Sequence, residues 1–288
     1  MQLKFNTLLF NPLLDSSSYY PINNVVINNI LDADFRLPQI INKAFIFSCF
    51  ALSTDGRLCY PDLPSGFAIA KHNWLASDME RYADWWNLSL GRAIADAVII
   101  GSNSLRYENG HYQAYVDISE LLDLREQLAK PKQLLHIIVC RDSRQINWQH
   151  EALYQNQSLP IVIFTQQLPT TIPDGFVVTE RYLSCQHRQI IHDADLDIRK
   201  LCAELFSAGI KTILNESPYY HHELQHLQLL DEAWLNTSGV QIGGDLASLG
   251  RINTPFDSSY HPHLTILTLQ HIGYNFLYAR YKISYGSN

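Results

Sequence analysis

Charge is scarce in this sequence, and none of it is gathered. Asp, Glu, Lys and Arg make up 17% of the 288 residues, against about a quarter in an average globular protein. No run of lysines or arginines occurs, and 21 basic against 28 acidic residues give a formal charge of −7. A sequence-independent grip on a phosphate backbone needs clustered basic residues, so nucleic acid is not an expected partner. Low charge together with 47% hydrophobic residues also excludes a solvated, disordered body. Cysteine is sparse and scattered: Cys49, Cys59, Cys140, Cys185 and Cys202 form an odd set without a CxxC pair. That spacing argues against a disulfide framework and a zinc site alike, and fits a reducing cytoplasm. The histidine pairs His221-His222 and His261 with His263 lack a third ligand at suitable spacing, so no metal is expected. No stretch of about eighteen apolar residues runs free of charge or proline, so no membrane-spanning helix is expected. The opening MQLKFNTLLFNPLLDSSSYY is broken by Asn6, Asn11 and Pro12, and no signal peptide is read there. A soluble, cytoplasmic protein is the expectation.

What is present is a series of short apolar runs. Residues 1–43 hold Pro12, Pro21, Pro38 and the run Ser16 to Ser18, and read as an irregular extension with one short strand or helix. From Ala44 the texture changes. AFIFSCFALS (44–53) is a continuous apolar run closed by Thr54-Asp55-Gly56, as expected of a strand buried on both faces. Ser77 precedes a proline-free segment to Ile94, a helix with a serine N-cap. Strand-like runs at 95–102, 134–140, 161–165, 175–180 and 211–215 alternate with helical segments at about 119–130, 195–208 and 218–230. Three strands close the chain at 233–239, 263–272 and 276–284 with little helix between them, like an antiparallel edge. Repeated βα units ending in such an edge predict an α/β fold: a mixed, mostly parallel sheet with helices on both faces. One domain, residues 44–288, follows the extension. In such sheets ligands sit at the carboxyl ends of the strands. Small and polar residues gather there at Ser53–Arg57, Gly101–Asn109, Asn215–Pro218 and Ser238–Asp245. Each alone is ordinary turn chemistry, but Ser217-Pro218 opening a helix would add an anion site.

In order, these stretches resemble the reductase domain of the riboflavin-biosynthesis deaminase-reductase, the RibD C-terminal family, whose fold is similar to dihydrofolate reductase. Phe50 to Arg57 (FALSTDGR) is similar to the family's opening strand and S-x-D-G-[RK] turn, and His72-Asn73-Trp74-Leu75 to its S-x-W-I segment. Arg92 to Gly101 (RAIADAVIIG) resembles L-R-A-x-x-D-A-[IV]-L-V-G, and Ser104 to Asn109 (SLRYEN) resembles T-V-R-A-[DE]-[ND]. Gly209 to Pro218 resembles the strand leading into an E-G-G-P turn, Leu230-Asp231-Glu232 a V-D-E, and Ser238 to Asp245 an S-P-x-[LI]-G-G stretch. The ending Phe276 to Tyr281 (FLYARY) is similar too. The resemblance covers roughly residues 44–284. No H-x-E with a partner P-C-x-x-C occurs in the sequence, so the zinc deaminase half has no counterpart and the expected activity is reductive only.

The resemblance implies a cytoplasmic, NADPH-dependent reductase of a pyrimidine or pterin-like heterocycle, working as a homodimer. It implies that NADPH contacts Ala51, Ser53, Asp55, Trp74, Gly101, Ser104, Ser143, Ser217, Pro218, Gly243 and Gly244. The small-molecule substrate would meet His72, Arg92, Asn109, Tyr112 and Asn215, with Arg92 as its anion anchor and Glu108 or Glu216 as proton donor. Read without the resemblance, Arg92 is a surface or capping cation, Trp74 a core residue and Glu108 a turn cap. The departures are specific. E-G-G-P is here Asn215-Glu216-Ser217-Pro218, so either Asn215 replaces the glutamate or Glu216 keeps it with one residue deleted. After Asn109 comes Gly110-His111-Tyr112-Gln113-Ala114-Tyr115, where phosphoribosyl-binding members place an arginine. A serine is replaced by His72. A substrate without ribose phosphate is the expectation. The alternative is a diverged nucleotide-binding or regulatory protein that keeps the fold without turnover.

Overall fold

Unbroken apolar runs such as residues 44–53 have no polar face to offer water, so they can only be inner strands of a sheet covered on both sides. The computed structural model describes residues 3–108, 110–250 and 254–286. In chain order these form β1 (Asn6–Phe10), β2 (Tyr19–Pro21), α1 (Val25–Leu31), β3 (Arg36–Pro38), β4 (Phe45–Ser53), α2 (Ala68–Lys71), α3 (Asp78–Ile94), β5 (Ala97–Gly101), α4 (Ser102–Tyr107), α5 (Ser119–Gln127), β6 (Leu135–Asp142), α6 (Ala152–Gln155), β7 (Ile161–Gln167), β8 (Phe176–Thr179), β9 (Arg188–His192), α7 (Ile198–Ser207), β10 (Thr212–Asn215), α8 (Pro218–His226), β11 (Glu232–Ser238), β12 (His263–Ile272) and β13 (Phe276–Ser284). Eleven strands make one sheet in the order β1-β12-β13-β11-β4-β10-β5-β6-β7-β9-β8, and β2 pairs with β3. From β11 to β8 every pairing is parallel, whereas β13, β12 and β1 join antiparallel. This is the mixed, mostly parallel sheet with an antiparallel edge that the runs predict. β11 is the junction, parallel to β4 and antiparallel to β13.

Alternation along β4 divides the core in two. Phe45, Phe47 and Cys49 pack with Trp86 and Leu90 of α3 and Leu121 and Leu124 of α5. Ala44 and Ile46 face the opposite side, with Leu201 and Leu205 of α7 and Leu224 of α8. Helix α3 starts where expected: the Ser77 hydroxyl accepts from Glu80 N, and Glu80 accepts from Ser77 N, a full capping box. Its far end is closed by Arg125 of α5, whose Nη1 donates to the carbonyls of Arg92, Ala93 and Ala95 at 2.7–3.2 Å.

Residues 1–43 are more ordered than an irregular arm with one short element. β1 pairs with β12, and Phe5, Ile22, Ile27, Ile30, Phe35 and Leu37 belong to the main core. Phe5 meets the Tyr278 ring edge-on at 4.9 Å. These elements are too short to show a period; partners more than two hundred residues away order them. One consequence is that the outer edge of β12 is covered by β1 and is not an open edge for a second copy to pair with.

Candidate functional site

β4, β5 and β10 are parallel neighbours, so their carboxyl ends and the turns after them gather on one side of the sheet. There they surround a cavity of about 890 Å³, within the size range of small-molecule and cofactor sites. Cys49, Phe50 and Ala51 of β4 form its floor with Asp84 and Leu88 of α3 and Asn236 of β11. Ser104, Tyr107 and Glu108 close one wall and Glu216, Pro218 and Tyr219 another, with Tyr60, Phe67 and the segment 246–248 among the other lining residues. Of the residues singled out in the sequence, Ala51, Ser104, Glu108, Tyr112, Glu216 and Pro218 line this space.

The turn after β10 directs Glu216, and not Asn215, toward the cavity. Asn215 is fully buried; its amide donates to Ser48 Oγ and Ser217 O, and its Oδ1 accepts from Ser217 N. It builds the turn and does not reach the cavity, a correction to its expected substrate contact. Glu216 is the side chain presented to the cavity. Both its oxygens are taken by Arg92, Nε to Oε1 and Nη2 to Oε2, each at 2.8 Å, and Tyr112 donates to Oε2 at 3.1 Å. Arg92 is only 1% exposed. Burial alone would lower its pKa, but Glu216 beside it more than reverses this and holds it charged. The expectation that Arg92 anchors a substrate anion is therefore corrected: the chain's own carboxylate fills its fork. Glu216 is an acceptor on both oxygens, which suits an ionised partner of Arg92 and not the proton donor expected of it. The Tyr112 phenol is pushed well above its ordinary pKa by burial and then by Glu216.

Ser217 stands at the N-cap of α8 with its hydroxyl buried and, among the described residues, without a partner. A Cβ on Gly101 would come within 3.1 Å of that oxygen, so the glycine at the end of β5 is what lets the two turns approach. An orphaned donor at a helix start fits a phosphate group, and on this observation the α8 turn suits the phosphates of a dinucleotide.

A second polar group lies where sequence reading did not look. Asp84 is 7% exposed; one carboxylate oxygen accepts from Asn236 Nδ2 at 2.7 Å, and Asn87 Nδ2 donates to Asn236 Oδ1 at 2.8 Å. Among the described residues no hydrogen bond reaches its other oxygen, and the residue lines the cavity. Burial pushes its pKa up to about 6, against the opposing hydrogen bond from Asn236. The available signal was a carboxylate inside a buried helical stripe, since Glu80, Asp84 and Gly91 all lie on the buried face of α3.

Other expected contacts are placed elsewhere. Trp74 is 83% exposed and outside the cavity; its neighbour Asn73 takes the buried position because its amide finds Ser238 Oγ at 3.0 Å. His72 is exposed and stands edge-on to Tyr60, which lines the cavity. Ser143 is fully buried, its hydroxyl donated to Gln167 O at 2.6 Å, so it offers nothing to a nucleotide phosphate. Ser53 donates to Asp55, and the Asp55 carboxylate accepts from Ile242 N and Gly243 N. These bonds, the Ser53 hydroxyl first, hold Asp55 down at about 2. Ser53, Asp55, Ile242 and Gly243 thus tie the two loops together; Gly244 does not line the cavity, which residues 246–248, just beyond, reach. Glu108 accepts from Ser65 Oγ and Gly66 N and holds that loop over the site. Asn109 lies outside the described residues. Among the described residues no group of three or more His, Cys, Asp or Glu could hold a metal ion, and no helix is long and apolar enough to cross a membrane.

No family model matches the sequence, and no curated protein does. Solved structures do. A pyrimidine reductase-like protein from Corynebacterium diphtheriae superposes with a TM-score of 0.62 at 17% identity, covering 86% of this chain and 95% of that one. RibD of Acinetobacter baumannii gives 0.56 at 16% identity over 84% of this chain, which spans 59% of that protein. A riboflavin biosynthesis reductase of Saccharomyces cerevisiae gives 0.53 at 11% identity, covering 86% and 93%. The chain has the fold of these reductases.

Proposed function

We propose that this chain is a reductase of the RibD C-terminal kind, an oxidoreductase that uses NADPH to reduce a pyrimidine or pterin-like heterocycle. The observation that carries the reading is the large cavity at the carboxyl ends of β4, β5 and β10, with the unpartnered Ser217 hydroxyl at the start of α8 beside it. The likeness in fold to proteins named as pyrimidine and riboflavin-biosynthesis reductases supports it. Ala51, Ser104 and Pro218 would line the nicotinamide nucleotide's path, and Ser217 with the α8 amides would hold its phosphates. Bound there, the cofactor supplies a hydride, which protein side chains cannot.

The chain's own work is positioning. Phe50, Tyr60, Phe67 and Tyr107 give flat apolar walls for a ring and exclude water. Arg92 neutralises Glu216 next to the phosphate turn, and Glu108 keeps the 65–66 loop closed over the ring. With Ser143 turned inward, NADPH in preference to NADH is supported by the resemblance alone. A homodimer belongs to the same proposal, using the apolar residues Trp74, Leu75 and Tyr274, which are exposed at one end of the sheet.

Titration of tryptophan fluorescence with NADPH, and with NADH alongside, tests the reading. Saturable quenching, weakened in Ser217→Val, is expected. Absence of saturation by either nucleotide would overturn it in favour of a protein that keeps the fold without turnover, a reading favoured by the crowded Asn215-Glu216-Ser217 turn.

A further inference from the structure

The cavity's charges are one-sided. Asp84, Glu108 and Glu216 line it, and among the described residues no lysine, arginine or histidine does. Arg92 answers Glu216 from behind and is used up in doing so. Among the described residues Asp84 has no cationic partner: it is bonded to the neutral Asn236, and through it to Asn87. The other titratable groups around it are the Cys49 thiol from β4 and the Tyr278 phenol from β13, both held neutral by burial, with Glu80 one turn earlier on α3. Glu80 is turned away, its carboxylate bound by Ser77, Tyr274 and Asn275. A carboxylate more than nine-tenths buried, with one oxygen open to a cavity, is costly unless something in that cavity pairs with it. Six aromatic rings, Phe50, Tyr60, Phe67, Tyr107, Tyr112 and Tyr219, line the same space, and ring faces attract cations.

We propose that Asp84 selects the substrate ring bound in this cavity beside the nucleotide, a flat nitrogen-containing ring bearing a cationic or amidine-like N–H edge and not a phosphorylated one. The inference deepens the reading above, because it rests on this cavity being the substrate site. An N–H edge reaches the open carboxylate oxygen while the ring lies against the aromatic walls. A phosphate placed there would meet carboxylates in a site of low dielectric, and among the described residues no lysine, arginine or histidine lines it to receive the charge. The absence of an arginine after Asn109 and the occupied fork of Arg92 act in the same direction.

A matched set of one-ring probes tests this on the full chain: benzamidine, benzamide, benzoate and phenyl phosphate, with binding followed by calorimetry. Benzamidine is expected to bind at least roughly tenfold tighter than benzamide, with benzoate and phenyl phosphate failing to saturate. In Asp84→Asn, isosteric and able to keep a bond to Asn236, the preference for benzamidine over benzamide should vanish. In the wild type, benzamidine binding should weaken as pH falls through about 6, and in the variant it should not. Asp123→Asn, an exposed carboxylate of α5 away from the cavity, should keep the preference and controls for a general loss of charge. Benzoate or phenyl phosphate binding as well as benzamidine, no binding of benzamidine, or an unchanged preference in a folded Asp84→Asn would each overturn the proposal. None of these probes is a nucleotide, so failure of the reductase reading shows separately, in the NADPH titration.

Discussion

Arg92 and Glu216 meet with two parallel bonds in a place where neither is exposed by as much as a tenth. Removing one partner of such a pair leaves a buried charge, at a cost of about 3–5 kcal/mol, whereas replacing both by apolar residues is often close to neutral. Arg92→Ala is therefore expected to lose about that much in urea unfolding, and Arg92→Leu with Glu216→Leu to recover most of it. An additive double variant would show that the pair is not the unit. Protonation offers a second residue-scale measurement. Burial lowers His136 to about 4 and His221 to about 3, so between those values and the unfolded value near 6.5 the unfolded chain binds more protons. Stability from both should be complete above about 6.5 and lost as pH falls below it, by up to about 3 kcal/mol for His136 and about 5 kcal/mol for His221 at order of magnitude. Asp84, raised to about 6, has the opposite sign. Its native form takes up a proton between 6 and 3.8 that the unfolded form does not, so it adds stability as pH falls. Unfolding midpoints against pH should show a shallower acid loss for His221→Phe and a steeper one for Asp84→Asn.

At the scale of elements, Glu80 joins two distant parts of the chain. It completes the cap of α3 through Ser77 and accepts from Tyr274 N and Asn275 N in the turn between β12 and β13. Ser77→Ala should cost about 1 kcal/mol, as caps generally do. Glu80→Ala should cost about 2–4 kcal/mol, since charge-assisted bonds to the turn are lost as well. The same turn needs Gly273: its φ is +59°, and a Cβ there would run into the Glu80 carboxylate. Gly273→Ala should lower the melting temperature about as far as Glu80→Ala, and the two changes combined should be less than additive. Additivity would mean that cap and turn are independent.

For the whole molecule, the extension is structural. Removing residues 1–43 would uncover β12 and take Phe5, Ile27 and Phe35 out of the main core. The remaining chain is expected to aggregate or to lose its cooperative transition, as bare edge strands and opened cores do. A truncated chain that melts like the full one would refute this. Association between copies is a separate question, because the β12 edge is already used. Light scattering at micromolar concentration should give about twice 33.0 kDa, and Trp74→Ser with Tyr274→Ser should return the monomer. A monomer for the unmodified chain would remove the homodimer from the proposal.

The sequence alone determined the parts whose signal is local. β4, β6 and β7 read from apolar runs because burial on both faces leaves no other composition for them, and α3 read from Ser77 because a cap is a property of four neighbouring residues. The order of strand-end turns indicated where a site would form, and Glu216, Glu108, Ser104 and Pro218 lie around it. What those turns do was decided by tertiary structure. Arg92 points to Glu216, 124 residues away, and no spacing within the chain reveals that its fork is filled. Trp74 and Asn73 are adjacent, and only the position of Ser238 decides which is buried. Asp84 looks like one more polar residue on a helix until β11 brings Asn236 against it and β4 completes the cavity floor. Burial, partner and free lone pair depend on distances between distant segments, and those exist only once the sheet has brought the segments together.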